Sequence, residues 1–139
     1  ALMLWQPGIP MLYSGDEVGQ LNDSSYKQDP KKAGDSRYLH RGSFPWKLAE
    51  EAQKNKDSIP GRLFEGLRRL EEFRAREAAM AGDARCSVLE MENPHILCLQ
   101  REKDGQKLTG LFNFSGESQN VFQKDLCLEP YGFRVIKQE

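Results

Sequence analysis

The sequence predicts a mainly β fold, in which an antiparallel β module from residue 85 onward is preceded by one helix, one turn and one strand of a parallel α/β sheet. Three observations support it. Residues 1–13 join an apolar helix end to a short apolar run, residues 59–79 repeat apolar side chains at helical spacing, and short apolar runs then alternate with turn residues. We therefore predict two domains, residues 1–80 and residues 81–139.

The N-terminal segment ALMLWQPGIPMLY begins as the last turns of an apolar helix, which Pro7 and Gly8 end. Residues 9–13 form an apolar run without polar alternation, which is typical of a strand buried on both faces of a parallel sheet. Because a lone parallel strand is not stable, this unit predicts one step of an alternating barrel or of a doubly wound sheet, with the other steps missing.

An amphipathic helix is predicted over residues 59–79. The segment Asp57-Ser58-Ile59-Pro60 supplies an N-cap candidate and an early-turn proline. Since about 55 residues of β structure are marginal as a free core, we expect this helix to pack against the β module or against the missing part of a barrel. Its apolar stripe consists of Leu63, Phe64, Leu67, Leu70 and Phe73.

Six apolar runs predict the strands of the β module: CSVLEM, HILCLQRE, KLTGLFNF, QNVFQ, DLCLE and GFRVIKQ. Asp104-Gly105, between the second and third runs, predicts a tight hairpin because these residue types accept positive φ angles. We expect the three cysteines to be small core residues rather than disulfide or metal ligands. They are Cys86, Cys98 and Cys127.

Composition excludes several classes of partner. The 139 residues carry a net charge of −1 with 29% charged side chains, so the chain offers no electrostatic reason to bind nucleic acid or an anionic membrane. Its apolar runs are too short to span a bilayer, and two histidines with three cysteines are too few for a convincing zinc site. We predict no cofactor and no metal, and we favour a cytoplasmic location.

Residues 15–42 form a polar segment that is too long for an ordinary connection, so we expect it to carry function or to be disordered. Its aromatic and planar polar side chains suit a neutral, hydroxyl-rich ligand such as a sugar, and the same composition also fits a solvated loop. The adjacent pair Asp16-Glu17 points to opposite sides of an extended chain and is therefore a poor acid/base pair. Four aspartates lack the spacing of a calcium loop: Asp16, Asp23, Asp29 and Asp35.

A resemblance to a known family rests on three motifs: GIPMLYSGDE, GDEVGQLNDSSYKQDPKKAGDSRYLHRG and LEPYGFRVIK. The first resembles the eighth barrel strand of the α-amylase superfamily, glycoside hydrolase family 13. The second is similar to the loop after that strand in amylosucrases and sucrose hydrolases, and the third resembles the last strand of the family's C-terminal domain. The resemblance covers essentially the whole chain. It implies a C-terminal antiparallel β-sandwich preceded by the last strand, loop and helix of an incomplete (β/α)8 barrel.

The resemblance also implies that the catalytic acids lie on earlier barrel strands, which would precede Ala1, so that this chain holds no catalytic residue. It implies the C-terminal fragment of a retaining enzyme that acts on sucrose or an α-glucan. We expect the fragment to be inactive alone and to need the missing N-terminal part of the barrel as its partner.

Arg37 resembles the arginine that pairs with a carboxylate from an early barrel loop and closes the pocket around the glucosyl ring. We therefore expect Arg37 to lack its intended partner here. Gly42 and Tyr38 stand where the subgroup usually has proline and tryptophan, which leaves hydrolysis or transglucosylation open. The expected substrate-binding residues are Tyr26, Asp35, Arg37 and His40.

Two alternatives belong to other classes of protein. The β module could bind glucan as an accessory domain, which needs an exposed row of aromatic side chains, whereas we expect its aromatics to be core residues. The strand at residues 9–13 could instead pair with a second copy and make a homo-oligomer. The aromatics in question are Phe112, Phe114, Phe122, Tyr131 and Phe133.

Overall fold

The computed structural model describes residues 1–121 and 126–138. Its α-helices are α1 (Leu2–Trp5), α2 (Trp46–Lys54) and α3 (Ile59–Arg76). Its strands are β1 (Arg85–Leu89), β2 (Ile96–Lys103), β3 (Gln106–Asn113), β4 (Gln119–Val121), β5 (Leu126–Leu128) and β6 (Phe133–Gln138). Short 3₁₀ turns occupy Asp16–Val18, Ser24–Gln28, Ser36–His40 and Ala78–Met80. The chain forms two compact units, Ala1–Pro10 together with Leu70–Glu139, and Met11–Arg69.

The β module is antiparallel throughout the described residues. One sheet has the order β1-β2-β3-β6, and β4 pairs with β5 in a second, two-stranded sheet. Each of the six predicted runs overlaps one of these strands, and β1, β2 and β3 extend one residue beyond their runs. Asp104 and Gly105 join β2 to β3 with φ angles of 50° and 80°, which confirms the predicted hairpin turn. The prediction of a mainly β fold with a few helices is confirmed.

The four-stranded sheet has a core on each face. On one face, Leu99, Leu108 and Phe112 pack with Trp5 of α1 and with Met80 of the turn before β1. On the other face, a second core joins the two sheets and consists of Ile96, Cys98, Leu111, Val121 and Leu128. Because side chains alternate along a strand, neighbouring residues of β2 and β3 contribute to opposite cores.

The cysteines differ from one another in burial. Cys98 is a core residue as predicted, but Cys86 is half-buried and Cys127 is exposed. Cys127 lies between the partly buried Leu126 and the buried Leu128 in β5, so strand alternation turns it outward. The prediction of three core cysteines is therefore wrong for Cys127.

Gly110 in β3 makes room for the indole of Trp5. A β-carbon at this position would lie 2.7 Å from Cε2 of Trp5 and 2.9 Å from Cε2 of Phe112. The rings of Trp5 and Phe112 meet edge to face with centroids 5.9 Å apart. Glycine usually weakens a strand, but at this position it gives the indole of Trp5 the room to pack in the core.

Arg101 in β2 joins α1 to the sheet by hydrogen bonds. Its side chain is 0% exposed, and Nη1 and Nη2 donate to the carbonyl oxygens of Trp5 (2.6 Å) and Ala81 (2.5 Å). No carboxylate of the described residues pairs with it, so burial lowers the pKa of Arg101. The buried charge is stabilised by carbonyl dipoles, which Arg101 joins from two separate segments of the chain.

Arg74 at the end of α3 binds the next carbonyls of the same N-terminal segment. Its guanidinium donates to the carbonyl oxygens of Leu4, Gln6 (3.1 Å) and Gly8 (2.6 Å). The amide of Gly8 in turn donates to the carbonyl of Gly82 at 2.7 Å. Residues 1–8 are thus held by backbone hydrogen bonds as well as by the apolar contacts of Trp5.

The predicted amphipathic helix is present as α3. Its first turn is capped by Ser58, whose Oγ accepts the amide hydrogen of Gly61 at 3.1 Å. At the other end of α3, Phe73 packs against the core around Trp5, as expected for the apolar stripe. Leu63 and Phe64, at the start of the stripe, are partly exposed instead, at 41% and 36%.

The strand predicted at residues 9–13 is not formed. Ile9 and Met11 are 88% and 81% exposed, and the segment makes no strand pairing with any described residue. A strand interior to a sheet needs a neighbour on each side for its amide and carbonyl groups, and the described residues supply none. No helix in the described part of the chain is long and apolar enough to cross a membrane.

We expect Gly110→Ala to lower the free energy of unfolding by about 1–3 kcal/mol, because the added methyl group overpacks the core around Trp5. Gly66→Ala is the matched control, since nothing lies within 4 Å of that position in α3. It should raise the free energy of unfolding by up to about 1 kcal/mol through helix propensity. Urea denaturation followed by circular dichroism measures both, and equal effects would contradict the role given to Gly110.

Candidate functional site

Residues 15–42 are organised by three aspartates that occur six residues apart. Each carboxylate accepts the amide hydrogen of the residue two positions later: Asp23 from Ser25 (2.9 Å), Asp29 from Lys31 (3.0 Å) and Asp35 from Arg37 (3.0 Å). These are Asx turns, which aspartate forms readily. The abundance of aspartate thus has a local structural reason, and the segment folds into short turns.

The start of the segment is fixed by Glu17. Its Oε2 accepts the amide hydrogen of Gly15 at 2.7 Å, and Gly15 and Gly19 have φ angles of 102° and 75° on either side of the first turn. Val18 in the same turn is buried. Glu17 therefore anchors the backbone, and residues 16–18 form a 3₁₀ turn rather than the extended chain assumed for Asp16-Glu17.

Asp35 and Arg37, both predicted site residues, bind each other. Nε of Arg37 donates to Oδ1 (2.8 Å) and Oδ2 (3.1 Å) of Asp35, and Nη2 donates to Oδ2 at 2.8 Å. The guanidinium lowers the pKa of Asp35 to about 2, chiefly through these side-chain hydrogen bonds, and the carboxylate raises the pKa of Arg37. We expected Arg37 to lack its partner, but its own motif supplies a carboxylate.

The side chains of the other two predicted residues form no hydrogen bond or ring contact with this pair within the described residues. His40 meets the ring of Tyr13 edge to face, with centroids 5.8 Å apart. Tyr26 is half-buried, and its side chain forms no hydrogen bond or ring contact within residues 1–121 and 126–138. The structure thus pairs Asp35 with Arg37, and His40 with Tyr13. Among the described residues, no side-chain hydrogen bond or ring contact joins these two pairs or joins Tyr26 to either.

Gln20 is the residue that sequence reasoning missed. Its Nε2 donates to the carbonyl oxygen of Ser43 at 3.1 Å and so joins the two ends of the segment. A β-carbon at Gly15 would lie 2.0 Å from Gln20 Oε1, and one at Gly42 would lie 2.9 Å from Gln20 Nε2. Gly42, an unexpected residue in the motif, therefore leaves space for Gln20. No local pattern signals this contact, because the partners are 23 residues apart.

A hydrogen bond across the segment brings two of its turns together. The amide of Asp23 donates to the carbonyl of Leu39 at 2.7 Å, directly before His40. Lys32 also lies over the ring of Tyr38, with Nζ 5.8 Å from the centroid. The result is a polar surface of guanidinium, carboxylate, imidazole and phenol groups. Within the described residues, no group of three or more acidic, histidine or cysteine side chains could hold a metal ion.

Comparison with known proteins shows where this fold occurs. No family model matches the chain. Among solved structures, the cyclic α-maltosyl-(1→6)-maltose hydrolase from Arthrobacter globiformis in its ligand-free form has a TM-score of 0.70 at 23% identity, over 99% of this chain. A maltogenic amylase from S. marinus has a TM-score of 0.69 at 21% identity, over 98% of this chain. The trehalulose synthase MutB from Pseudomonas mesoacidophila MX-45 has a TM-score of 0.67 at 17% identity, also over 98% of this chain.

These matches use only part of each neighbour. The chain spans 29%, 18% and 36% of the lengths of the three proteins, in the order given. At such identities the likeness establishes the fold: antiparallel β sheets with a few helices, shared with part of each enzyme. The neighbours are named as a maltose-type hydrolase, a maltogenic amylase and a trehalulose synthase. The resemblance of the three motifs to glycoside hydrolase family 13 stays a prediction. The amylosucrase subgroup stays a prediction.

The pairing of Asp35 with Arg37 predicts an unusual titration. We expect the Asp35 carboxyl to titrate at about pH 2 in the intact chain. Because its pKa is lowered on folding, the pair is fully formed above the ordinary aspartate pKa of about 4 and is lost as the pH falls through the lowered value. Arg37→Gln should move the midpoint upward, toward the ordinary value. Carbon-13 NMR of the carboxyl group measures it.

Arg41→Gln is the control for this titration. Arg41 acts on Asp35 only through its charge, which is the smallest of the contributions to the lowered pKa. This variant should therefore leave the midpoint close to that of the unmodified chain. Equal midpoints in the Arg37→Gln variant and the unmodified chain would contradict the hydrogen bonds described above.

Proposed function

We propose that this chain is the C-terminal part of a retaining glycoside hydrolase family 13 enzyme that acts on an α-glucan or on sucrose. The observation that carries the proposal is the match of nearly the whole chain to part of three sugar-acting enzymes, two of which are named for maltose-type sugars. The resemblance of GIPMLYSGDE and LEPYGFRVIK to the last barrel strand and the last domain strand of that family supports the same conclusion.

In this proposal, residues 15–42 wall the sugar pocket and the β module stabilises the enzyme. Arg37 binds a carboxylate from the N-terminal part of the barrel and closes the pocket around the glucosyl ring, with Tyr26, Asp35 and His40 nearby. Its guanidinium is two-thirds exposed in this chain, so it is accessible to such a partner. The catalytic acids come from the N-terminal part of the barrel, and no cofactor takes part.

The finer assignment to amylosucrases or sucrose hydrolases rests on the loop motif. Asp35-Ser36-Arg37 and His40-Arg41 match the order and spacing of that subgroup. The Asx turn at Asp35 and the space that Gly42 leaves for Gln20 give this part of the loop a defined local structure. Sucrose is therefore the first substrate to test, followed by maltooligosaccharides.

Glucan binding by the β module is a second candidate, favoured by its aromatic side chains. Phe112 is buried as expected, but Phe114, Tyr131 and Phe133 are exposed, and Phe122 lies outside the described residues. The exposed three lie at or beyond the ends of β3 and β6, and Phe133 stacks on Phe112 with ring centroids 6.2 Å apart. The prediction that these aromatics are core residues is wrong for these three. Retardation on amylopectin gels that Tyr131→Ala abolishes would favour this function.

Homo-oligomer formation through residues 9–13 is the remaining alternative. Ile9 and Met11 are exposed, and their backbone pairs with no strand among the described residues, so both are available to a second copy. Sedimentation velocity of the chain at increasing concentration separates the two cases. A single species over the whole range would remove pairing with a second copy, whereas a dimer that Met11→Pro dissociates would support it.

We expect the purified chain to release no glucose from sucrose or maltooligosaccharides, because in this proposal the catalytic acids belong to the N-terminal part of the barrel. When it is co-expressed with the N-terminal barrel part of the enzyme, turnover should appear, since the two parts then share one pocket. A coupled glucose assay measures both. Activity of the chain alone would contradict the proposal.

In the same co-expressed enzyme, Arg37→Ala should lower turnover by about 100-fold or more, since it removes a charged group that fixes pocket geometry. Arg37→Lys should recover little, because an ammonium group cannot donate through two parallel N–H bonds. Lys31→Ala is the control, as Lys31 contributes its backbone amide to the Asx turn. Near-normal turnover by the Arg37→Ala enzyme would contradict the role of Arg37 in closing the pocket.

A further inference from the structure

The guanidinium of Arg37 has two edges that can each bind a carboxylate. Asp35 occupies the edge formed by Nε and Nη2, through three hydrogen bonds of 2.8, 3.1 and 2.8 Å. Within the described residues, Nη1 donates no hydrogen bond. The edge that ends in Nη1 is therefore open to a second acceptor, because guanidinium carries five N–H donors in a fixed plane.

We infer that Asp35 is a positioning residue, which holds Arg37 by one edge so that the other edge is presented to the sugar pocket. This inference rests on the proposed function, since it gives the open edge to the carboxylate and the sugar oxygens of that pocket. It changes the role first expected for Asp35, whose carboxylate is occupied by Arg37 rather than free to bind a substrate hydroxyl.

The backbone of the same motif supports this role. Oδ1 of Asp35 accepts both the amide hydrogen of Arg37 and its Nε hydrogen, at 3.0 and 2.8 Å. One carboxylate oxygen therefore holds both the backbone amide and the guanidinium Nε of Arg37. Asp29 forms the same backbone turn two residues before Lys31 without a hydrogen bond to the Lys31 side chain, whereas Asp23 is hydrogen-bonded by both the amide and the side chain of Ser25. The fork is therefore an addition that the turn itself does not require.

Because the pair of Asp35 and Arg37 is exposed, it adds little to the free energy of unfolding, and its main effect is to orient the Arg37 side chain. The Arg37 side chain is 66% exposed, so solvent screens the attraction. A long side chain that is held in one orientation before binding loses less rotamer freedom when its partner arrives. A carboxylate that stays ionised well below neutral pH holds Arg37 in this way throughout the physiological range.

The test uses NMR of the full 139-residue chain and needs no sugar. We expect the Nε hydrogen of Arg37 to exchange with solvent at least about fivefold more slowly than in Asp35→Asn, since the charged fork is lost in the variant. Asparagine retains a side-chain oxygen for the Asx turn, so the backbone shifts of residues 36–40 should change little. Asp29→Asn removes a charge from an equivalent turn and should leave the Arg37 exchange rate unchanged.

Equal Nε exchange in the unmodified chain and in Asp35→Asn would overturn the inference, as would an equal effect of Asp29→Asn. In the co-expressed enzyme, Asp35→Asn should lower kcat/KM about tenfold, with Asp35→Glu recovering part of the loss and Asp29→Asn having no effect. An unchanged kcat/KM in Asp35→Asn would also overturn the inference. If the Nε hydrogen exchanges slowly but co-expression with a barrel part gives no active enzyme, the proposed function is contradicted and the role of Asp35 in holding Arg37 is not.

Discussion

The contact between Trp5 and Gly110 is the constraint on which the β module depends. The indole occupies space that any side chain on residue 110 would fill, and the buried guanidinium of Arg101 binds the carbonyl of the same tryptophan. A residue near the start of the chain thus completes a core whose other buried members come from residues 79–112. Since the β module alone is small, this contribution matters for its stability.

The segment that carries the candidate site has a different physical origin. Its structure comes from aspartate side chains that accept nearby amide hydrogens, so each turn is specified within about three residues. Few of its side chains are buried, and its arginine is held by a carboxylate two residues away. Local specification of this kind allows polar groups to stay exposed for a ligand while their geometry is retained.

Features with local causes could be predicted from the sequence. The Asp104-Gly105 hairpin, the Ser58 cap and the six strands each follow from residue types at short spacing. Contacts between distant residues could not, and these include Trp5 with Gly110 and Gln20 with Ser43. The apolar run at residues 9–13 was misleading because strand formation depends on neighbours as well as on composition. In the candidate site, the motif resemblance predicted Asp35 and Arg37 as site residues, but only the geometry showed that they bind each other.

The inclusion of residues 1–10 in the β module is tested most directly by hydrogen exchange of the full chain, followed peptide by peptide with mass spectrometry. The amides of Trp5 and Gly8 donate to the carbonyls of Ala1 and Gly82. They should therefore exchange on the same timescale as those of β2 and β3, and much more slowly than those of residues 15–42. Exchange of residues 1–10 as fast as that of residues 15–42, with β2 and β3 still protected, would contradict the account.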